Sequence, residues 1–232
     1  MGKTVCDAVR GAADMELVAQ VDPEMSTTCG AMAAAEVAVD FTVITAAREN
    51  LRWCAANGVH AVVGTSGFSD AELAEFAELF DKSTANAIIV PNFAIGAVLM
   101  IRLAELAAPF FETAEIIELH HDAKADAPSG TAVHTADRLA AASAEWAADP
   151  TRTFNIPGAR GAVGAAGIHI HSVRLRGLVA HQEVLLGTTG QSLSIRHDSY
   201  DRTSFMPGVV LAVKRIAEHP GLTLGLDAFL GL

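Results

Sequence analysis

Residues 116–131 read I-I-E-L-H-H-D-A-K-A-D-A-P-S-G-T and bring several chemically capable side chains into one short stretch. The apolar run Ile116 to Leu119 ends in two adjacent histidines, His120 and His121, with Lys124 close behind. Imidazoles move protons near neutral pH, and an ammonium adds fixed positive charge. Ser129, Gly130 and Thr131 open an alanine-rich helical pattern, and the free N–H groups of a helix start favour an anion. The stretch therefore suits a small carboxylate or phosphate with acid–base chemistry beside it. A metal is a poor fit, because adjacent strand residues point to opposite faces and His120 and His121 would not share an ion. A His-His pair at a strand end and a Ser-Gly-Thr helix opening also occur as plain structure, so local pattern alone leaves both readings open.

The elements that must position these groups follow from periodicity. A helical pattern runs from Gly2 to about Ala12, and residues 16–21 read as a short strand ending at Asp22. Residues 36–42, 60–64 and 86–90 read as further strands. Between them lie a helix over 45–57 closed by Gly58 and a helix opened by the capping box Ser69-Asp70-Ala71-Glu72. Strands alternating with helices through short turns predict a parallel sheet covered on both faces. Ligands in such sheets bind at the carboxyl ends of the strands. Three of those ends carry polar or glycine turns: Asp40-Phe41-Thr42, Gly64-Thr65-Ser66 and Val90-Pro91-Asn92-Phe93.

An apolar helix over 94–108 and the strand carrying His120 come next. A helix over 129–148 follows, then a glycine- and proline-rich loop over 150–167. Long strands over 168–176, 180–187 and 192–199 predict an antiparallel meander with one face buried. The apolar phase shifts at His171-Ser172, which predicts a bulge. His169 and His171 alternate on that strand, toward a pocket or toward solvent. Pro207 marks the start of a last helix to about Glu218. The fold class is α/β: a Rossmann-type parallel-sheet N-terminal domain, with its first strand missing, plus an α+β C-terminal domain with a mixed, largely antiparallel sheet. The expected boundaries are 1–92 with 206–232 for the nucleotide-type half and 93–205 for the α+β half.

Composition narrows the function classes. The 232 residues are 51% apolar with a formal net charge of −11, a globular pattern that disfavours nonspecific nucleic-acid binding. Cys6, Cys29 and Cys54 have no metal-ligand spacing and fit reduced thiols of a cytoplasmic protein. The longest apolar region, around 87–101, is interrupted by Pro91-Asn92, so no membrane span is expected.

The string E-L-H-H-D-A-K-A-D-A-P-S-G-T-A resembles the signature of the 4-hydroxy-tetrahydrodipicolinate reductase (dihydrodipicolinate reductase) family, E-x-H-H-x-x-K-x-D-x-P-S-G-T-A. The likeness extends along the chain. Met1-Gly2 resembles the end of the family's glycine loop, and Asp22 its acidic ribose-binding position. Gly64-Thr65-Ser66 resembles its Gly-Thr-Thr, with a hydroxyl kept at Ser66. Val90-Pro91-Asn92-Phe93 resembles its Ala-Pro-Asn-Phe turn, and Arg202 its fixed arginine before the last helix. The resemblance implies catalytic roles for His120 and Lys124, and substrate contacts from His121, Ser129, Gly130 and Thr131. It implies cofactor binding by Gly2, Asp22, Gly64, Thr65, Ser66, Val90, Pro91, Asn92, Phe93 and Arg202, a small dicarboxylate substrate, and a homotetramer. The expected cofactor is NADH with NADPH tolerated, because Asp22 repels a 2′-phosphate and Pro23-Glu24 supplies no arginine.

The departure lies at the start, where the first strand and most of the pyrophosphate loop would precede Met1. A start set about 15 residues too late is the expectation; a truncated form with poor cofactor binding is the other account. On either, the 232 residues alone are expected to bind NADH weakly, and a micromolar dissociation constant would refute that. The rival to a reductase is a ligand-binding or scaffold relative that lost its cofactor with that strand.

Overall fold

The structure, a computed structural model, describes residues 1–21 and 29–232. The chain forms two compact units, one of Met1–Ile95 with Arg202–Leu232 and one of Gly96–Asp201.

The first unit begins with α1 (Gly2–Gly11), which buries Val5 and Val9. β1 (Val37–Asp40), α2 (Ile44–Asn57), β2 (His60–Val63), α3 (Asp70–Asp81) and β3 (Ala87–Ile89) follow. Gly58 closes α2 at φ 70°, a left-handed conformation that costs glycine little. Ser69 and Glu72 form the reciprocal capping box at the start of α3. β1, β2 and β3 pair in parallel, and a short strand near the chain's end extends that sheet beside β3. Ala61 and Val63 of β2 and Ala87 and Ile89 of β3 pack with Leu51 and Cys54 of α2 and Phe76 and Phe80 of α3.

Two details differ from the sequence reading. No strand forms over residues 16–21. Among the described residues β1 has β2 as its neighbour, and residues 16–21 do not join its outer edge. Asp22 lies outside the described residues. The terminal strand beside β3 was not expected, since three residues carry too little periodicity to read.

The second unit contains most of α4 (Ile95–Ala107), then β4 (Thr113–His120), α5 (Gly130–Ala142), β5 (Ala162–Val163), β6 (His169–Arg174), β7 (Ala180–Thr188) and β8 (Gln191–Ser199). Its sheet order is β5-β6-β4-β7-β8. β4 runs parallel to β6 and antiparallel to β7. The expected simple meander is therefore corrected. β4 inserts between β6 and β7, and α5 supplies the long crossover that a parallel neighbour requires. One sheet face, with Ile116, Ile170, Val184 and Leu186, packs against Met100, Ile101 and Ala104 of α4 and Ala132, Ala136 and Leu139 of α5. The other face carries Ile117, Leu119, Val173 and Leu185, all partly exposed.

α5 ends at Ala142, short of the expected 148. Ser143 turns extended (φ −144°, ψ 138°), its hydroxyl accepts the Glu145 N–H, and the Ala147 N–H donates to the Glu112 carbonyl. Local side-chain competition of this kind ends helices. The expected bulge is also absent, because β4 and β6 keep an unbroken register from Glu115↔His169 to His120↔Arg174. The apolar phase shifts for another reason. On the helix-covered face β6 leaves the core after Ile170 and offers Ser172 and Arg174 to polar partners.

The chain then returns to the first unit through α6 (Met206–Arg215), β9 (Leu222–Leu224) and α7 (Asp227–Leu230). Pro207 lies in the first turn of α6, where its missing N–H costs nothing. β9 is the strand beside β3, and α6 packs against α1 and β2. Among the described residues no helix is long and apolar enough to cross a membrane.

Candidate active site

The parity of β4 decides what surrounds His120. Ile116, Glu118 and His120 share the helix-covered face, so an acid and an imidazole continue the line of the core. Glu118 is fully buried. Its Oε2 accepts from His120 Nδ1. Arg174, paired with His120 in the sheet register, donates to both carboxylate oxygens at 2.8 Å. The Ser129 N–H donates to Glu118 Oε1 at 3.2 Å. Burial pushes the Glu118 carboxyl up, but hydrogen bonds from Arg174, Ser172 and His120 outweigh it and hold the group below the ordinary glutamate value.

The His120 ring is pushed below the ordinary histidine value, by burial first. Glu118 opposes that shift, and the charges of Lys124 and Arg174 add to it. That shift favours the uncharged ring. His121 is exposed, with its N–H on the Val179 carbonyl at 3.4 Å. Lys124 Nζ donates to Asp126 at 2.7 and 2.9 Å. Its positive charge thus has a partner that the sequence reading did not assign.

Ser129 caps α5, its hydroxyl accepting the Ala132 N–H at 3.2 Å. With the Ser129 N–H on Glu118, that group is not offered to a ligand. The Gly130 and Thr131 N–H groups, in the first helical turn, have no intrahelical acceptor by position.

The first unit brings the predicted turns Gly64-Thr65-Ser66 and Val90-Pro91-Asn92-Phe93 to the carboxyl ends of β2 and β3, beside Asp40 at the end of β1. Asp40, 7% exposed, accepts from the Thr42 N–H and hydroxyl, both at 2.7 Å, and from Asn50 Nδ2 at 2.6 Å. The Thr65 hydroxyl donates to the Thr42 carbonyl at 2.9 Å and lies 3.4 Å from Asp40. Gly64 is needed for packing, because a Cβ there would come within 2.1 Å of the Phe41 ring. Asn92 Oδ1 accepts the Ala94 N–H, and Phe93 is buried with its ring 5.5 Å from that of Phe41. Pro91 and Ser66 are exposed, and Val90 is buried with its N–H on Val63. Gly2 opens α1 and Arg202 is exposed in a short 3-10 turn.

Glu118 and Arg174 were missed as functional residues. Glu118 left a signal: a lone acid between Ile117 and Leu119 on the face of Ile116 must have a partner. Arg174 left none, since its partner is fixed by a sheet register 56 residues away. Four other histidines have partners within the fold. His169 Nδ1 donates to the Arg160 carbonyl and Nε2 lies 3.1 Å from Asp149, while His171 pairs with Glu115 at 2.6 Å. His181 Nδ1 donates to Asp198 at 2.7 Å, and His219 stacks on Phe229. Among the described residues no cluster of three or more His, Cys, Asp or Glu is placed to hold a metal.

The family model described as "Dihydrodipicolinate reductase, N-terminus" matches residues 1–93, and the one described as "Dihydrodipicolinate reductase, C-terminus" matches residues 96–230. The chain belongs to the dihydrodipicolinate reductase family. Proteins named 4-hydroxy-tetrahydrodipicolinate reductase from Corynebacterium aurimucosum and Nocardia farcinica are 51% and 52% identical to it, over all of this chain and 95% of each relative. A solved structure titled dipicolinate bound dihydrodipicolinate reductase, from Paenisporosarcina sp. TG-14, superposes with a TM-score of 0.88 at 38% identity. It covers 98% of this chain and 94% of that one. An apo scyllo-inositol dehydrogenase from Lactobacillus casei shares the fold alone, at TM-score 0.57 and 9% identity over 98% of this chain and 88% of that one. The expected α/β architecture, a Rossmann-like parallel sheet and a second mixed sheet, is the architecture observed.

Proposed function

We propose that this chain catalyses the NAD(P)H-dependent reduction of 4-hydroxy-tetrahydrodipicolinate, or dihydrodipicolinate, to tetrahydrodipicolinate on the route to diaminopimelate and lysine. The observation that carries this is the His120–Glu118 pair beside the Ser129-capped start of α5. It sets a proton carrier next to anion-binding N–H groups.

Gly130 and Thr131 hold one substrate carboxylate through their N–H groups, and Ser129 orients that turn. His121 makes a further substrate contact. The uncharged form of His120 is favoured in the free chain, and a doubly negative ring raises its proton affinity. His120 then donates from Nε2, because Nδ1 is committed to Glu118. Lys124 is the second donor. Its pair with Asp126, a residue 64% exposed in its side chain, is of the kind worth little, so exchanging it for substrate costs little.

The dinucleotide supplies hydride when bound. The residues that would hold it are Gly2 and Asp22, the turns Gly64-Thr65-Ser66 and Val90-Pro91-Asn92-Phe93, and Arg202. Supporting this fit, the Asp40–Thr42–Thr65 network and the Gly64–Phe41 contact give the strand ends a fixed shape. NADH is favoured and NADPH tolerated, on the sequence Asp22-Pro23-Glu24. Residues 1–92 with 206–232 form the dinucleotide-binding domain and 93–205 the substrate-binding and oligomerisation domain. A homotetramer would use the sheet face of Ile117, Leu119, Val173 and Leu185. Cys6 and Cys54 are not joined in a disulfide, which fits a cytoplasmic setting.

The test is NADH oxidation with freshly prepared substrate, using this chain and one extended at its N-terminus. Lys124→Met and His120→Gln should each lower kcat at least about 100-fold. Undiminished turnover in either would remove that donor from the mechanism. Failure of both unmutated chains to consume NADH would favour a ligand-binding relative.

A further inference from the structure

Glu118 touches more of the site than any residue read from the sequence. Its oxygens meet His120 Nδ1, both terminal nitrogens of Arg174 and the Ser129 N–H, and the Ser172 hydroxyl adds another bond. Arg174 Nη2 reaches on to the Asp126 carbonyl at 2.7 Å, and Asp126 is the residue that holds Lys124. One buried acid and its arginine thereby connect the proton carrier, the partner of the second donor and the start of α5.

We propose that Glu118 is a positioning residue that fixes His120 in its Nδ1–H tautomer, leaving Nε2 as the atom that gives and takes the proton. The role of His120 in it rests on the reading of the preceding section. An ionised carboxylate can only accept hydrogen bonds, so Nδ1 must be the donor. Turning the ring over would set a C–H against a fully buried charge and forfeit a charge-assisted bond. Arg174 completes the device. Glu118 favours the protonated ring, but burial outweighs it. The charges facing His120 are Glu118, Lys124 and Arg174, and the two cations add to the effect of burial. The ring is held in orientation and still free to change its protonation state. A carboxylate that orients an imidazole from behind recurs at metal and hydrolytic sites, where its loss costs on the order of 10 to 100-fold or more.

Two measurements test this. The first needs no variant: ¹⁵N correlation spectra of the histidine side chains in the full chain, with His120 assigned from a His120→Gln sample. Above its pKa the ring should carry its proton on Nδ1, and a proton on Nε2 overturns the proposal. The second is kinetic. Glu118→Gln should lower kcat about 10 to 100-fold with KM little changed, and Glu118→Asp should recover part of the loss. The double variant Glu118→Gln/His120→Gln should be no slower than His120→Gln alone. An undiminished effect of Glu118→Gln in the His120→Gln background would show that Glu118 acts elsewhere, and would overturn the proposal. If His120→Gln alone leaves kcat unchanged, the reading of His120 as donor fails. The tautomer measured in the unmutated protein then still decides whether Glu118 orients the ring. That measurement also stands if Glu118→Gln does not fold.

Discussion

Asp40 and Glu118 are both buried carboxylates near the carboxyl end of a strand, one in each unit, and their partners differ in kind. Among the described residues Asp40 accepts from neutral donors: a backbone N–H, a hydroxyl and an amide, with the Thr65 hydroxyl 3.4 Å away. Those bonds shape a turn, since they fix Thr42 and Thr65 relative to each other. Glu118 has an arginine and an imidazole among its donors. Its bonds fix a charge state and a tautomer as well as a shape. The same functional group thus serves backbone geometry in one unit and, on the proposed function, proton chemistry in the other, and the donors decide which.

Removing partners should expose that difference, most strongly at Arg174. Arg174→Met leaves an uncompensated buried carboxylate and should destabilise by about 3–5 kcal/mol at pH 7, read by urea unfolding. The loss should shrink with acidity. Glu118 is held below the ordinary value of 4.5, so its bonding stabilises above that pH and is lost as the pH falls through the lower folded value. The variant's deficit should therefore narrow below pH 4.5, and a deficit independent of pH would show that packing, not charge, is what Arg174 supplies. Asp40→Ala leaves neutral donors unsatisfied and should cost about 1–3 kcal/mol. On the proposed function its distinctive mark would be weaker NADH binding, with binding of a dicarboxylate substrate analogue unchanged in calorimetry. The smallest effect belongs to a feature with no buried charge. Ser69→Ala at the capping box should cost about 1 kcal/mol in thermal unfolding and leave both ligands unaffected.

Legibility in the sequence followed the range of the interaction. The capping box spans three residues and Gly58 sits one residue past its helix, so both were readable and both formed. The His120-His121-Lys124 spacing and the Ser129 helix start were readable for the same reason. The end of α5 was not, because apolar periodicity continues past Ser143 and the competing bonds come from Ser143 itself and from Glu112. The bulge was misread because an apolar phase shift has two causes. Here the strand kept its register and exchanged core neighbours for polar partners at the site.

The sequence alone determined the alternation of strands and helices, the polar turns at three successive strand ends, and the grouping of two imidazoles, a cation and a helix start within sixteen residues. These depend on periodicity and turn chemistry over a few residues. Tertiary structure alone decided that β4 lies between β6 and β7, that Arg174 meets Glu118 across that register, and that His120 turns Nδ1 inward. Register is chosen by how whole faces pack and by where a buried charge finds its counterpart, and no short stretch of chain contains both halves of that choice.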